Sequence, residues 1–226
     1  MVSSLYARGV RGGFGKRDAA PHKPLKRPSQ ARAKFTVQAI YDAFVRIWQR
    51  DGWPGVTTRA VALETGIAVG TLYDYFPNKH ALLSGYVRHG VDALLEAIEC
   101  EAVQPVGLDW RERVHRLVQL SCGIAEPPLP CFDAGMLLLE AQIAEPKHHH
   151  RVFDELSAQW LRTLQACTDL PEPPSPDAVR SLFILAWGGR RYRLLLEPHA
   201  PALRAWAAGV ERICCLAQDT APPPSE

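Results

Sequence analysis

The tightest constraint on this chain lies between Thr57 and Leu83, in the run TTRAVALETGIAVGTLYDYFPNKHALL. Thr57 or Thr58 offers a hydroxyl that can cap a short helix whose apolar face is Val61 and Ala62. Gly66 follows, and glycine just past a helix end takes the left-handed conformation without a Cβ penalty. Ile67 can then plug the turn. From Val69 the chain turns helical again through Gly70, Thr71, Leu72, Tyr73, Asp74 and Tyr75. Pro77 disfavours helix at the residue before it, so this helix must stop near Phe76. Asn78 caps a third helix beginning Lys79-His80-Ala81-Leu82-Leu83. A helix, a four-residue glycine turn and a second helix can fold into few things, and one is a helix-turn-helix.

The same residues, taken in order, resemble the DNA-binding domain of TetR-family (TetR/AcrR-type) transcriptional regulators. The resemblance rests on Thr57-Thr58-Arg59, Gly66-Ile67, Gly70-Thr71-Leu72-Tyr73, Tyr75-Phe76, Asn78-Lys79 and Ala81-Leu82. It covers roughly residues 35–83. Two positions depart from the family pattern: Ala68 stands where Ser or Thr is frequent, and Thr65 where Ala is common. Ala68 leaves the second helix without a side-chain cap.

Composition bounds the rest. The chain has 226 residues, 47% of them hydrophobic, enough for one or two domains with a real core. No run approaches the length of a membrane span, and the N-terminus lacks a secretory apolar region. A cytoplasmic protein with no membrane partner is expected. Net charge is only +2, but residues 1–34 carry nine basic side chains against Asp18 alone, leaving the remainder at −6. A basic arm beside a mildly acidic body suits attraction to phosphate. Six cysteines form no paired C-x-x-C clusters, and His148-His149-His150 on a helix would point in three directions. No metal and no cofactor is expected. Cys122 with Cys131, and Cys214 with Cys215, are the pairs that could sense oxidants. No phosphate loop, G-x-S-x-G elbow or H-E-x-x-H occurs, so no catalytic residue is named and the chain reads as a non-enzyme.

Taken in order, residues 1–33 read as a flexible basic arm. Residues 34–78 form the three-helix head, with Ile40, Ala43, Phe44, Ile47 and Trp48 as the apolar stripe of its first helix. That helix ends at Gly52-Trp53-Pro54-Gly55, with Asp42 and Arg46 four apart on its outer face. A connecting helix spans 79–104, and Pro105 with Gly107 marks a hinge. Residues 105–218 give further helices separated by prolines, ending in two over about 177–196 and 201–217. Residues 219–226 read as a disordered tail. With no alternating strand pattern, the fold class is all-α: an N-terminal helix-turn-helix domain and a larger C-terminal helical domain for ligand binding and dimerisation.

The resemblance implies partners and sites. Double-stranded operator DNA would meet Arg32, Thr57, Thr58, Arg59, Ala68, Gly70, Thr71, Tyr73, Tyr75 and Lys79. Gly70 lets the backbone approach DNA, and Thr71 can touch a base edge. Tyr73 and Tyr75 can reach phosphates or pack against the first helix. Thr58 and Lys79 sit at helix N-termini, which favour anions. The second helix has no Lys or Arg, so shape and hydroxyls would carry specificity. One reading helix spans few base pairs, so a homodimer on a palindrome is expected, using Leu182, Leu185, Gly188, Gly189, Trp206, Val210 and Ile213. An unidentified small-molecule effector would meet Trp110, Phe132, Met136, Trp160, Phe183 and Trp187, with Tyr192 nearby. Arg190, Arg191 and Arg193 could meet an anionic ligand or simply form an exposed face. The expected function is a ligand-responsive repressor. An activator, or a helical interaction protein whose head no longer reads DNA, is the alternative.

Overall fold

The structure, a computed structural model, describes residues 31–219 except 171 and 198. Among them are nine α-helices and no strand: α1 (Ala31–Gly55), α2 (Thr58–Thr65), α3 (Val69–Tyr75), α4 (Lys79–Ile98), α5 (Trp110–Cys122), α6 (Ala134–Ile143), α7 (Pro146–Gln165), α8 (Pro176–Leu196) and α9 (Ala200–Asp219). The all-α expectation holds. The basic arm ends earlier than residue 33, because Ala31, Arg32 and Ala33 are already helical. They are good helix formers that extend α1, and Thr36 Oγ1 donates back to the Arg32 carbonyl at 3.0 Å. The rest of the arm, and the tail from 220, lie outside the described residues.

The local signals of the head are met by geometry. Gly52 interrupts α1 with φ of 63°. Thr57 is the cap of α2, accepting from Ala60 N at 3.0 Å. Gly66 takes φ of 75°, and Ile67 N donates to the Ala62 carbonyl at 3.0 Å. Ala68 gives α3 no side-chain cap. Asn78 accepts from Ala81 N at 2.8 Å and starts α4. Arg46 does not pair with Asp42. It reaches across to Glu64 of α2 at 3.0 Å, while Asp42 accepts from Gln38. An acid facing α1 from a second helix competes successfully with one a turn away.

Two cores result. The head core gathers Ile40, Phe44, Ile47 and Trp48 of α1, Val61 and Ala62 of α2, Leu72 of α3, and Leu82, Leu83 and Tyr86 from the first half of α4. It also takes Met136 and Ile143 from α6. The second core holds Leu94 and Ile98 from the far half of α4 with α5, α7, α8 and α9. The connecting helix α4 therefore belongs to both. Its end unwinds into one π turn over Glu99–Val103. The expected hinge is fastened there by Arg113 of α5. Its Nη1 donates to the carbonyls of Ala102 at 2.6 Å and Val103 at 2.9 Å, and its Nη2 to Pro105 at 2.7 Å.

Replacing Gly66 by Ala meets no neighbouring atom within 4 Å, so its whole cost is the left-handed backbone. Gly66→Ala is expected to lower unfolding free energy by about 1–2 kcal/mol, read from urea denaturation followed by helical circular dichroism.

Candidate nucleic-acid interface

The outer face of the head is built by α3. Leu72 turns inward and is fully buried, which fixes the rotation of this helix. Ala68 and Gly70 then lie exposed, and no atom stands within 4 Å of where a Cβ on Gly70 would be. Thr71 is partly exposed beside it, and Tyr73 is 45% exposed. Tyr73 Oη lies 3.1 Å from Thr58 Oγ1, so the reading helix and the start of α2 are joined by their hydroxyls. Thr57 and Arg59 are exposed on the same end of α2. Arg32 is exposed at the first turn of α1. The two tyrosines separate: Tyr75 packs against the head core, its ring 6.4 Å from Phe76.

Lys79 sits at the start of α4 but is engaged. Its Nζ lies 4.2 Å from the Trp53 ring centre and donates to the Trp53 carbonyl at 3.3 Å. The ammonium is thus held over an indole beside the α4 N-terminus. That fixes a positive charge at the margin of the α3 face. The exposed surface of α3 offers hydroxyls and bare backbone, with Asp74 exposed among them.

In the larger domain three of the six proposed effector contacts meet. Trp160 and Phe183 have ring centres 6.0 Å apart, and Phe183 and Trp187 stack at 6.3 Å. Trp160 is sealed in, with its Nε1 donating to Ser121 Oγ at 3.0 Å. Trp110 lies apart, buried at the start of α5 with Arg111 over its ring. Met136 is fully buried in the head core, and Phe132 packs on that core too. Both were expected to line a cavity. Met136 serves the head because α6 packs on α4 with its start against Trp48 of α1, while the Phe132 ring, just before α6, also lies 5.9 Å from the Arg190 guanidinium carbon. Tyr192 is 67% exposed.

The two last helices also sort their residues by face. Leu182 and Val210 lie in the core of this chain. Leu185 is partly buried. Gly189 is covered by the Trp206 ring, which leaves no room for a side chain there. Gly188 and Ile213 face outward. Sequence patterning missed the outward partners Ile184, Leu195, Leu196 and Leu216, all large, apolar and 45–60% exposed. Spacing alone could have found two of them: Ile184 and Leu195 share one side of α8 with Gly188 and Tyr192.

The cysteines are all free. Burial pushes the Cys122 and Cys214 thiols up to about 12 and Cys167 to about 11. Burial disfavours the thiolate at these three, and it pushes the Cys131 thiol up as well. His148 turns back to accept from Glu145 N at 3.1 Å, while His149 faces Glu140 at 3.7 Å, so the histidine run diverges.

Head and body are joined through the start of α6. Asp133 caps that helix, accepting from Met136 N at 2.9 Å through Oδ1. Its other oxygen accepts from Trp48 Nε1 of α1 at 2.7 Å. Tyr86 Oη donates to the Cys131 carbonyl at 2.8 Å. A Cβ on Gly135 would stand 2.9 Å from the Trp48 ring, so glycine is needed for this approach.

This is a helix-turn-helix head on a helical second domain. Residues 40–85 match the family model described as bacterial regulatory proteins, tetR family. The transcriptional repressor KstR of Rhodococcus jostii is 35% identical over 135 residues, covering 58% of this chain and 61% of that relative. The nucleoid occlusion factor SlmA of Pasteurella multocida is 26% identical over 152 residues, covering 63% of this chain and 70% of that protein. Among solved structures, a TetR-family transcriptional regulator of Streptomyces coelicolor superposes with a TM-score of 0.54 at 18% identity, over 81% of this chain and 99% of that one. A SmeT–triclosan complex does so with a TM-score of 0.55 at 17% identity, over 85% and 99%. Over residues 40–85 the head is thus similar to that of TetR-family regulators. The chain spans 61% of the length of the KstR relative, and among the described residues no helix is long and apolar enough to cross a membrane.

Asp133→Ala removes a helix cap and orphans the Trp48 indole. It is expected to cost about 2 kcal/mol, a fall in melting temperature of roughly 4–8 °C for a chain of this size. Asp133→Asn, which keeps an acceptor, should lose less in the same calorimetric scan.

Proposed function

We propose that this chain is a transcription regulator that binds a palindromic DNA operator as a homodimer and releases it when a small molecule binds the larger domain. The observation that carries the reading is the outer face of α3. Leu72 anchors the helix inward, leaving Gly70 and Tyr73 exposed and Thr71 partly so. That is the disposition a helix needs to lie in the major groove and touch base edges. Thr58, Arg59 and Lys79 flank it with hydroxyl and positive charge near two helix N-termini, where phosphate is favoured. Repression in preference to activation is supported by the KstR relative.

The outward apolar row of α8 and α9 supports the dimer. Ile184, Tyr192, Leu195, Ile213 and Leu216 are each 45–67% exposed, and Gly188 lets a second backbone come close. Release would follow from the shared helix α4 and the Asp133–Trp48 link, since both tie head position to the packing of the second domain. The reading puts the effector in that domain, near the packed rings of Trp160, Phe183 and Trp187.

Fluorescence anisotropy with the upstream intergenic DNA, at two salt concentrations and beside scrambled DNA, tests this. Selective binding that weakens steeply with salt is expected. Thr71→Ala should lose roughly 1–3 kcal/mol on the operator and little on scrambled DNA. Weak, equal binding to both DNAs, unchanged in Thr71→Ala, would favour the helical interaction protein instead. Ile184→Asp should convert the dimer to monomer in light scattering and abolish operator binding. A wild-type chain that is monomeric with DNA bound would sink the dimer.

A further inference from the structure

The arginine run of α8 divides three ways. Arg191 is ion-paired with Glu140 of α6. Arg193 Nη2 donates to Glu197 at 2.6 Å. Arg190 turns into the domain and meets no acid. Its guanidinium carbon lies 5.5 Å from the Trp187 ring centre and 5.9 Å from that of Phe132. A Cβ on Gly123 would stand 2.8 Å from its Nη2, so the group is pressed against the end of α5. The titratable groups that act on it are Cys122, Cys131 and Arg191, none of them a carboxylate. Its Nε is sealed from solvent with no hydrogen-bond partner among the described residues, as are those of Arg113 and Arg193, but those two arginines are held through their Nη atoms. Burial accordingly pulls its proton affinity below the ordinary arginine value.

The contrast is Arg113, a buried guanidinium in the same domain that donates to three carbonyls. The Nε of Arg113 is unpartnered too, so the difference lies at the Nη atoms: those of Arg113 donate to carbonyls, while Arg190, half-buried between rings, has no acid or carbonyl paired with it among the described residues, and a cation so placed is costly. A partner subunit is not placed to supply the acid. Arg190 lies roughly 200° around α8 from Gly188, away from the outward apolar row.

We infer that Arg190 is the anchor for an organic monocarboxylate, held between the Trp187 and Phe132 rings at the junction of α5, α8 and the segment 123–133. One unpaired cation matches one negative charge, and a planar guanidinium accepts a carboxylate through two parallel hydrogen bonds. The flanking rings, continued by Phe183 and Phe153, take an apolar body. Access is from the exposed side of Gly123, because every residue of 123–133 is at least partly exposed and the segment contains no helix before Ala134. This names the effector class for the regulator proposed above and rests on that reading for its consequence alone. Phe132 is followed directly by Asp133, the acceptor for Trp48 in α1. A carboxylate that draws Arg190 or Phe132 aside therefore acts on the reading head through one peptide unit.

The test uses the full chain, with benzoate, phenylacetate, hexanoate and decanoate as probes, each beside its neutral primary amide. Thermal unfolding and titration calorimetry are run on wild type and on Arg190→Met. At least one acid should raise the wild-type melting temperature by about 5–10 °C at a hundredfold excess over its Kd. Its amide should not, and Arg190→Met should bind the acid at least tenfold more weakly. Without ligand, Arg190→Met should melt no lower than wild type, since it removes an unpaired buried charge. Equal shifts in both proteins, or no shift by any acid in wild type, would overturn the site. Should Arg190→Met fail to fold, Arg190→Lys keeps the charge and loses the fork: tenfold weaker binding supports the site, unchanged binding rejects it. The same acids are added to the protein–operator complex. Failure of wild type to bind DNA at all would remove the regulator reading and leave the calorimetric result for Arg190 standing.

Discussion

The reading head cannot close its own core. Three helices of this length bury too little apolar surface to be stable alone. The missing volume comes from α4, and from Met136 and Ile143 of α6. The Trp48–Asp133 hydrogen bond holds that borrowed element at one position, and Gly135 permits the approach. Because the same carboxylate caps α6, the head cannot shift against the body without disturbing a helix start. The rest of the molecule follows from this dependence. A head completed by its neighbour is a head whose orientation the neighbour can set.

α4 carries the dependence along its length. Its first half lies in one core and its second half in the other, and Arg113 clamps its frayed end to α5. Movement in the larger domain therefore reaches the head by two routes, one through α4 and one through segment 131–136. Both are packed contacts with defined partners, which makes a two-position response physically reasonable. The placement of Arg190 at the root of the second route would make that segment the receiver of an effector.

The electrostatic division is equally plain. The helix that faces outward from the head has no basic residue, and Lys79, just beyond its end, is held over the Trp53 ring. On the function proposed above, attraction to a polyanion would fall to the flanks and to the basic residues of the N-terminal sequence, and α3 would supply hydroxyls and close backbone approach. Attraction and discrimination would then sit on different parts of the chain.

Residues 57–83 were legible in the sequence because their structure is set by neighbours in the chain. Gly66 closes α2, Pro77 ends α3 and Asn78 starts α4, each through contacts a few residues away. The same reasoning found the helices of the second domain and failed to assign their faces. Met136 looks like any buried methionine until α6 is laid against α1. Leu182 and Ile184 are both apolar, yet one is core and the other surface. Arg190, Arg191 and Arg193 are alike in sequence. Glu197 for Arg193 and Trp187 for Arg190 lie within one helical turn, but only the tertiary structure gives Glu140 to Arg191 and the Phe132 ring to Arg190. By itself the sequence determined where helices begin and end, since capping and backbone strain are local. The tertiary structure decided which side of each helix is buried and which charge goes unpaired, since those depend on residues fifty or more positions away.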